Sequence, residues 1–556
     1  MLAFRRFFVA AAMLAALVAH DAQAQRKTVC TITVNSADEK EAFRRNLPAD
    51  QYDFVELVER GRPDWLASAC RAGVRCDVLL ISGHFDGGDE FYSDRVDARE
   101  SLPVDEMERV SCSDSCPGLF SQLKEVYLFG CNTLNADKLS NASAEVVRAL
   151  LRSGHSAADA ERVAQLLSAQ HADSNRDKMR MIFKDVPVIY GFSSKAPLGA
   201  KAGPMLERYF KAGATPAIGS GHSSEKLLQL FAASSMTVAS GATDADPQAG
   251  YRRDMCQFVD DRLSAEERVA FVHALLDRDM AEARAFLDPL EKYSASFGDV
   301  ALRTPTVAKT LDGIAVDTAA KNRWLTFARD ADEPTVRARM IALASRFGWL
   351  SASERQAELA RLVSDLYARN TIDTADVDLA CTLNVDHALE PALAAFRREA
   401  KATDVGHAAL LACAGSRSAR SQVVLALTSA RERDVALAQV YLKHRPIADV
   451  DELRAVALRI ARMSDVEAQV RALDTLAAQP VSDRESLETL TRLFPLAKTL
   501  DVQRAIAGIL IRADYRSIAK PELVRALREK RLKSPDGQDL IDVLIRRMQA
   551  SLARAA

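Results

Sequence analysis

Two short apolar runs in this 556-residue chain end in residues that can do chemistry. Leu79-Leu80-Ile81-Ser82-Gly83 runs into His84, and Tyr127-Leu128-Phe129-Gly130 runs into Cys131, about 50 positions later. An imidazole and a thiol are the groups used for proton transfer and nucleophilic attack. Each stands just past the carboxyl end of an apolar run that reads as a buried strand. In open α/β sheets, ligand and active sites form there. Adjacent parallel strands lie about 5 Å apart, so side chains at equivalent ends converge.

The elements around them must therefore form such a sheet. From Thr28 to about Gly219, short apolar runs alternate with amphipathic stretches. Strands are expected at Val29–Val34, Asp53–Val58, Asp77–Ser82, Val126–Gly130 and Val186–Phe192. Helices are expected at Glu39–Leu47, Pro63–Ala72, Ala142–Leu151, Ala157–Ala169 and Gly203–Lys211. The third and fourth strands are continuous rather than alternating in polarity, as strands buried on both faces are. Strands alternating with helices predict an α/β domain with a mostly parallel sheet over 25–219. Residues 220–253, rich in Ser, Gly, Thr and Asp, read as a linker or transition.

A hydrophobic block ending in Gly-His, followed by one ending in Gly-Cys, resembles the caspase-like superfamily of cysteine peptidases. That group includes caspases, metacaspases, gingipain-type and legumain-type enzymes, separases and CHAT domains. The segment LFGCNTL is similar to the cysteine block of CHAT-type members. The resemblance covers about residues 28–215 and implies Cys131 as nucleophile and His84 as general acid/base. The implied oxyanion donors are the backbone amides at Phe85, Gly130 and Cys131. Gly83, Gly87, Gly88 and Gly130 suit close backbone approach to a substrate. One departure stands out: the superfamily has Gly after the histidine, and here Phe85 is expected to crowd the cleft. The QACxG pattern of caspases is also absent, so cleavage after Asp is not implied. Asp86, Asp89 and Glu90 are candidates for a pocket that takes a basic side chain.

Nine cysteines leave at least one unpaired within the chain. Cys112 and Cys116 are close enough for a small loop bridge, Cys381 and Cys413 sit in similar settings that suit a staple between helices, and Cys131 is the natural free thiol. The first 24 residues read as a secretory signal peptide. Arg5 and Arg6 precede the apolar run Phe7–Ala19, and Ala22-Gln23-Ala24 offers a cleavage site before Gln25. That run is shorter than the roughly 20 residues needed to span a bilayer. A periplasmic or secreted protein with no membrane span after cleavage is expected.

The balance of 74 basic against 76 acidic residues argues against a nucleic-acid binder. No P-loop, GxGxxG, HExxH or GxSxG motif occurs, and no cofactor or metal is implied. His155, His171 and His222 read as surface residues. From 254 to 556 the chain is rich in Ala, Leu and Arg and reads as all-helical. An Asp-Val opening recurs at Asp434, Asp465 and Asp501, at intervals of about 30 to 40 residues, with an earlier relative at Asp332–Arg339. It resembles HEAT-type repeats, whose helical pairs must stack to bury their apolar faces.

Two functional expectations follow. One is a cysteine endopeptidase acting on a protein or peptide substrate, with the repeats docking a protein partner. The other is an inactive caspase-like scaffold that binds partners through its repeats.

Overall fold

Continuous apolar runs become the centre of the sheet. Its strands are β1 (Lys27–Thr33), β2 (Tyr52–Glu56), β3 (Val78–Ser82), β6 (Glu125–Phe129), β7 (Val188–Phe192) and β8 (Met236–Ala239), in the order β2-β1-β3-β6-β7-β8. A separate two-stranded hairpin pairs β4 (Glu90–Tyr92) with β5 (Ser101–Pro103). All pairings in the six-stranded sheet are parallel except that of β7 with β8. This computed structural model describes residues 26–555 apart from 63, 86–87, 95–99, 114–115, 117, 138–142, 153, 172–173, 215–217, 299–303, 514 and 533–538. The expected signal segment, its cleavage site before Gln25, and Asp86 and Gly87 lie outside the described residues.

Alternate residues of the buried strands supply two cores. Leu79 and Ile81 join Ile32, Val126, Leu128 and Ile189 on one face. Val78 and Leu80 join Val29, Tyr127, Phe129 and Tyr190 on the other. Helices cover both faces, as a mostly parallel sheet requires. The expected strands and helices lie within a few residues of the observed ones, except that the last helix begins earlier, at Gly199.

Two expectations are corrected. Residues 220–253 are not a plain linker, because they contain a helix (Glu225–Leu230) and the antiparallel edge strand β8. A four-residue strand carries too little periodicity to be read from sequence. Cys112 does not bridge Cys116. Cys112 ends the Val104–Cys112 helix and bonds Cys256 on the Ala249–Val259 helix, while Cys116 bonds Cys70. Cys30–Cys76 and the expected Cys381–Cys413 complete four disulfides, and Cys131 is free.

By its contacts the chain divides into residues 1–323 and 324–556. The first unit keeps the helices that follow 254, tied to the sheet layer by the Cys112–Cys256 bond and by Arg252, which donates to the Met181 carbonyl (2.9 Å).

The second unit is all-α among its described residues. In its later part, helices pack on the next but one: Val450–Arg462 on Arg484–Leu493, Val466–Ala477 on Leu500–Arg512, and the latter on Leu540–Ala555. That pattern makes two layers of stacked helices. Buried glutamines clamp successive steps. Gln469 donates to the Ile460 carbonyl (2.8 Å), and Gln503 donates to those of Phe494 (3.2 Å) and Lys530 (2.9 Å). Each glutamine stands four residues after its helix N-cap, Asp465 or Thr499. Ion pairs Arg420–Glu452 (2.9 Å) and Arg454–Asp483 (2.9 Å) link side chains about one repeat apart. Among the described residues of the chain, no helix is long and apolar enough to cross a membrane.

Candidate active site

The register of β3 against β6 decides where the two reactive side chains lie. Ser82 is paired with Phe129, so His84 and Cys131 each follow two residues beyond the last paired position. Both line one shallow pocket of about 40 Å³, together with Glu39, Ser82 and the segment Ala196–Gly199 after β7.

His84 is held by its main chain. Its N–H donates to the Tyr92 carbonyl and its carbonyl accepts from the Tyr92 N–H, both at 2.9 Å. This bridge to the hairpin fixes the direction in which the imidazole leaves the sheet. The ring is 22% exposed and lies tilted against Tyr92, 5.4 Å between ring centres. Its Nε2 makes no hydrogen bond but stands 3.4 Å from an Asp94 carboxylate oxygen.

Cys131 is half-buried, and its Sγ accepts a hydrogen bond from the Ala196 N–H at 3.4 Å. The chain turns sharply after it. Asn132 adopts φ +59°, a left-handed conformation that Asn tolerates better than most residues. The Asn132 amide donates to the Ser194 carbonyl (2.7 Å), and its own carbonyl accepts from the Asn175 side chain (3.1 Å). Thr133 completes the corner: its hydroxyl donates to the Gly130 carbonyl (3.2 Å) and accepts from the Phe192 N–H (3.0 Å). The amides of His84 and Asn132 are thus committed and are not available to an oxyanion.

Phe85 corrects an expectation. Its side chain is fully buried in the core beside the sheet, 4.6 Å from the Phe91 ring, and does not line the pocket. Alternation along an extended chain sends Phe85 to the face opposite its neighbour. Gly83 and Gly130 line the pocket, and the chain packs closely at Gly130 and Gly88. A Cβ on Gly130 would lie 2.8 Å from the Phe85 Cβ and 2.9 Å from the Gly83 carbonyl oxygen. Gly88 takes φ +80°, and a Cβ there would meet the Asn175 side chain at 2.5 Å.

Asp89 and Glu90 are exposed and do not line the pocket of His84 and Cys131. Asp89 faces a separate cavity, and Glu90 opens β4 opposite Pro103. Glu90 belongs to a three-residue hairpin strand, which loop composition did not reveal. His171 is only partly exposed. It packs against Tyr251 (5.3 Å) and Phe286 (6.4 Å), whereas His155 and His222 are exposed.

Sequence reasoning missed three contributors: Asp94, the Ala196 amide and Glu39. Glu39 is the most informative. It opens the Asp38–Asn46 helix, where an acidic residue usually faces solvent and favours the helix dipole. Here it is 2% exposed and accepts a hydrogen bond from the Ser82 hydroxyl (3.0 Å). Burial pushes its carboxyl up to about 7, against the lowering effect of its own backbone N–H and of Ser82.

Elsewhere in this unit, His273, Asp277 and Asp317 bring potential metal-ligand atoms within 4.8 Å of one another. Asp277 already pairs with Arg323 (3.3 Å), and Asp317 accepts from the Ala320 N–H (2.9 Å). No family model, curated protein or solved structure matches the chain.

Proposed function

We propose that this protein is an exported caspase-like cysteine endopeptidase that uses His84 and Cys131 as a dyad. One observation carries the reading: the β3–β6 register sets the imidazole and the chain's free thiol on a common pocket at the carboxyl end of a parallel sheet. In this reading Cys131 passes its thiol proton to His84 as Sγ attacks the scissile carbonyl carbon, and the carbonyl π electrons move onto oxygen. Collapse of that oxyanion expels the amine, which takes its proton from His84. Water drawn on by His84 then cleaves the thioester and frees Sγ. Asp94 orients the imidazole from its Nε2 side. The resemblance assigns the amides of Phe85, Gly130 and Cys131 to stabilise the oxyanion. Four disulfides are in keeping with an oxidising compartment. The helical unit, read as HEAT-like, serves as the docking surface for a protein partner.

The inactive-scaffold alternative drew on Phe85 closing the cleft, and the burial of that ring removes its main support. The test is cleavage of a pooled peptide set that varies the residue before the scissile bond. Cys131→Ala and His84→Ala should each lose about as much activity as the double variant, because the two groups serve one step. Undiminished cleavage by Cys131→Ala overturns the assignment.

A further inference from the structure

A second and larger cavity, about 380 Å³, opens in the same unit among the Val104–Cys112, Asn175–Ile182, Ala249–Val259 and Leu287–Ala295 helices. It shares no lining residue with the pocket of His84 and Cys131. Its volume falls in the range of small-molecule sites, roughly 300–1,000 Å³. Its apolar wall includes Met181, Tyr251, Met255, Phe258 and Tyr293. The aromatic part of that wall is braced from behind. Tyr251 and Phe258 both pack on Phe286, at 4.9 and 6.1 Å, and the Tyr251 hydroxyl donates to the Ala285 carbonyl (3.3 Å).

The polar side is unbalanced. Among the described residues, the carboxyl groups of Asp89, Asp105, Glu108 and Asp288 face the ammonium groups of Lys178 and Lys292. Lys292 donates to both oxygens of Asp105, at 2.7 and 2.6 Å. Burial, followed by repulsion from Asp105, pushes the Glu108 carboxyl up to about 7. A cation seated against Glu108 would relieve that burden, and Tyr251, Phe258 and Tyr293, which line the same cavity, are residue types whose ring faces attract cations.

We propose that this cavity binds an organic monocation, with an apolar body against Met181, Met255 and Phe258 and an ammonium end at Glu108. The site is independent of the peptidase reading. Three probes with a common body test it by titration calorimetry on the full mature chain: 4-phenylbutylammonium, 4-phenylbutan-1-ol and 4-phenylbutanoate. At about pH 8, where Glu108 is ionised, the ammonium should bind at least about tenfold more tightly than the alcohol, and the carboxylate should give no binding. Glu108→Gln should bring the ammonium down to the alcohol's affinity. The alcohol should bind both proteins alike, which reports that the cavity is intact in the variant. Alkylating Cys131 should leave all affinities unchanged. Equal affinity for the three probes, no binding of any, or insensitivity to Glu108→Gln overturns the proposal. Loss of ammonium binding on Cys131 alkylation would move the amine to the other pocket and overturn it equally.

Discussion

Replacing Glu39 by Gln should flatten the pH dependence of stability around the candidate site. Burial lifts this carboxyl from 4.5 to about 7, so the folded protein keeps a proton that the unfolded chain gives up near the ordinary value. Between those two values the folded state binds more protons. Stability therefore declines as pH rises through that interval and levels off above about 7. At about 1.4 kcal/mol for each pH unit, the decline totals about 3 kcal/mol. In Glu39→Gln no proton is exchanged, and the carboxamide oxygen still accepts from the Ser82 hydroxyl. Hydrogen exchange of the β1 and β3 amides in the intact protein, corrected for intrinsic rates from about pH 5 to pH 8, reads the opening free energy directly. Glu108 titrates over a similar interval in both proteins and cancels from the comparison. Over that range, which begins above the ordinary value, the wild-type curve should fall relative to the variant by about 2.5 kcal/mol. Parallel curves would refute the claim that Glu39 is held neutral by burial.

Two further outcomes follow from the packing. Phe85→Ala should not open the cleft but should cost about 3–5 kcal/mol, because it empties a fully buried ring site, and denaturant unfolding measures this; unchanged stability with raised turnover would mean that the ring covers the pocket after all. Cys112→Ser with Cys256→Ser removes a cross-link spanning 144 positions and should lower stability by about 3–5 kcal/mol. Non-reducing peptide mapping that finds Cys112 joined to Cys116 would contradict the connectivity itself.

The helical repeats illustrate how far a sequence signature reaches. Asp465 and Asp501 share an Asp-Val opening, and both do stand at helix starts. Yet Asp465 is an N-cap, whereas Asp501 lies inside its helix and Thr499 takes the capping role. The equivalent buried positions are Gln469 and Gln503, which the signature would misalign by two residues. Apolar spacing announces a helix. Which polar side chain meets the preceding helix's end depends on the neighbour's position, which one segment's sequence does not contain.

By itself the sequence determined the α/β then all-α order, the buried central strands and the reactive residues at two of their ends. These are local properties, set by runs of apolar residues and by what stands immediately after them. The tertiary structure alone decided the β3–β6 register, the hairpin that clamps His84, and the loop after β7 that faces Cys131. It also sent Phe85 into the core, drew Asp89 and Glu90 away from the pocket, and buried Glu39 beneath it. The physical reason is that pairing register, burial and charge environment belong to pairs of segments distant in the chain. Cys112 chose Cys256 over Cys116 on the same ground: the Val104–Cys112 helix packs against the Ala249–Val259 helix.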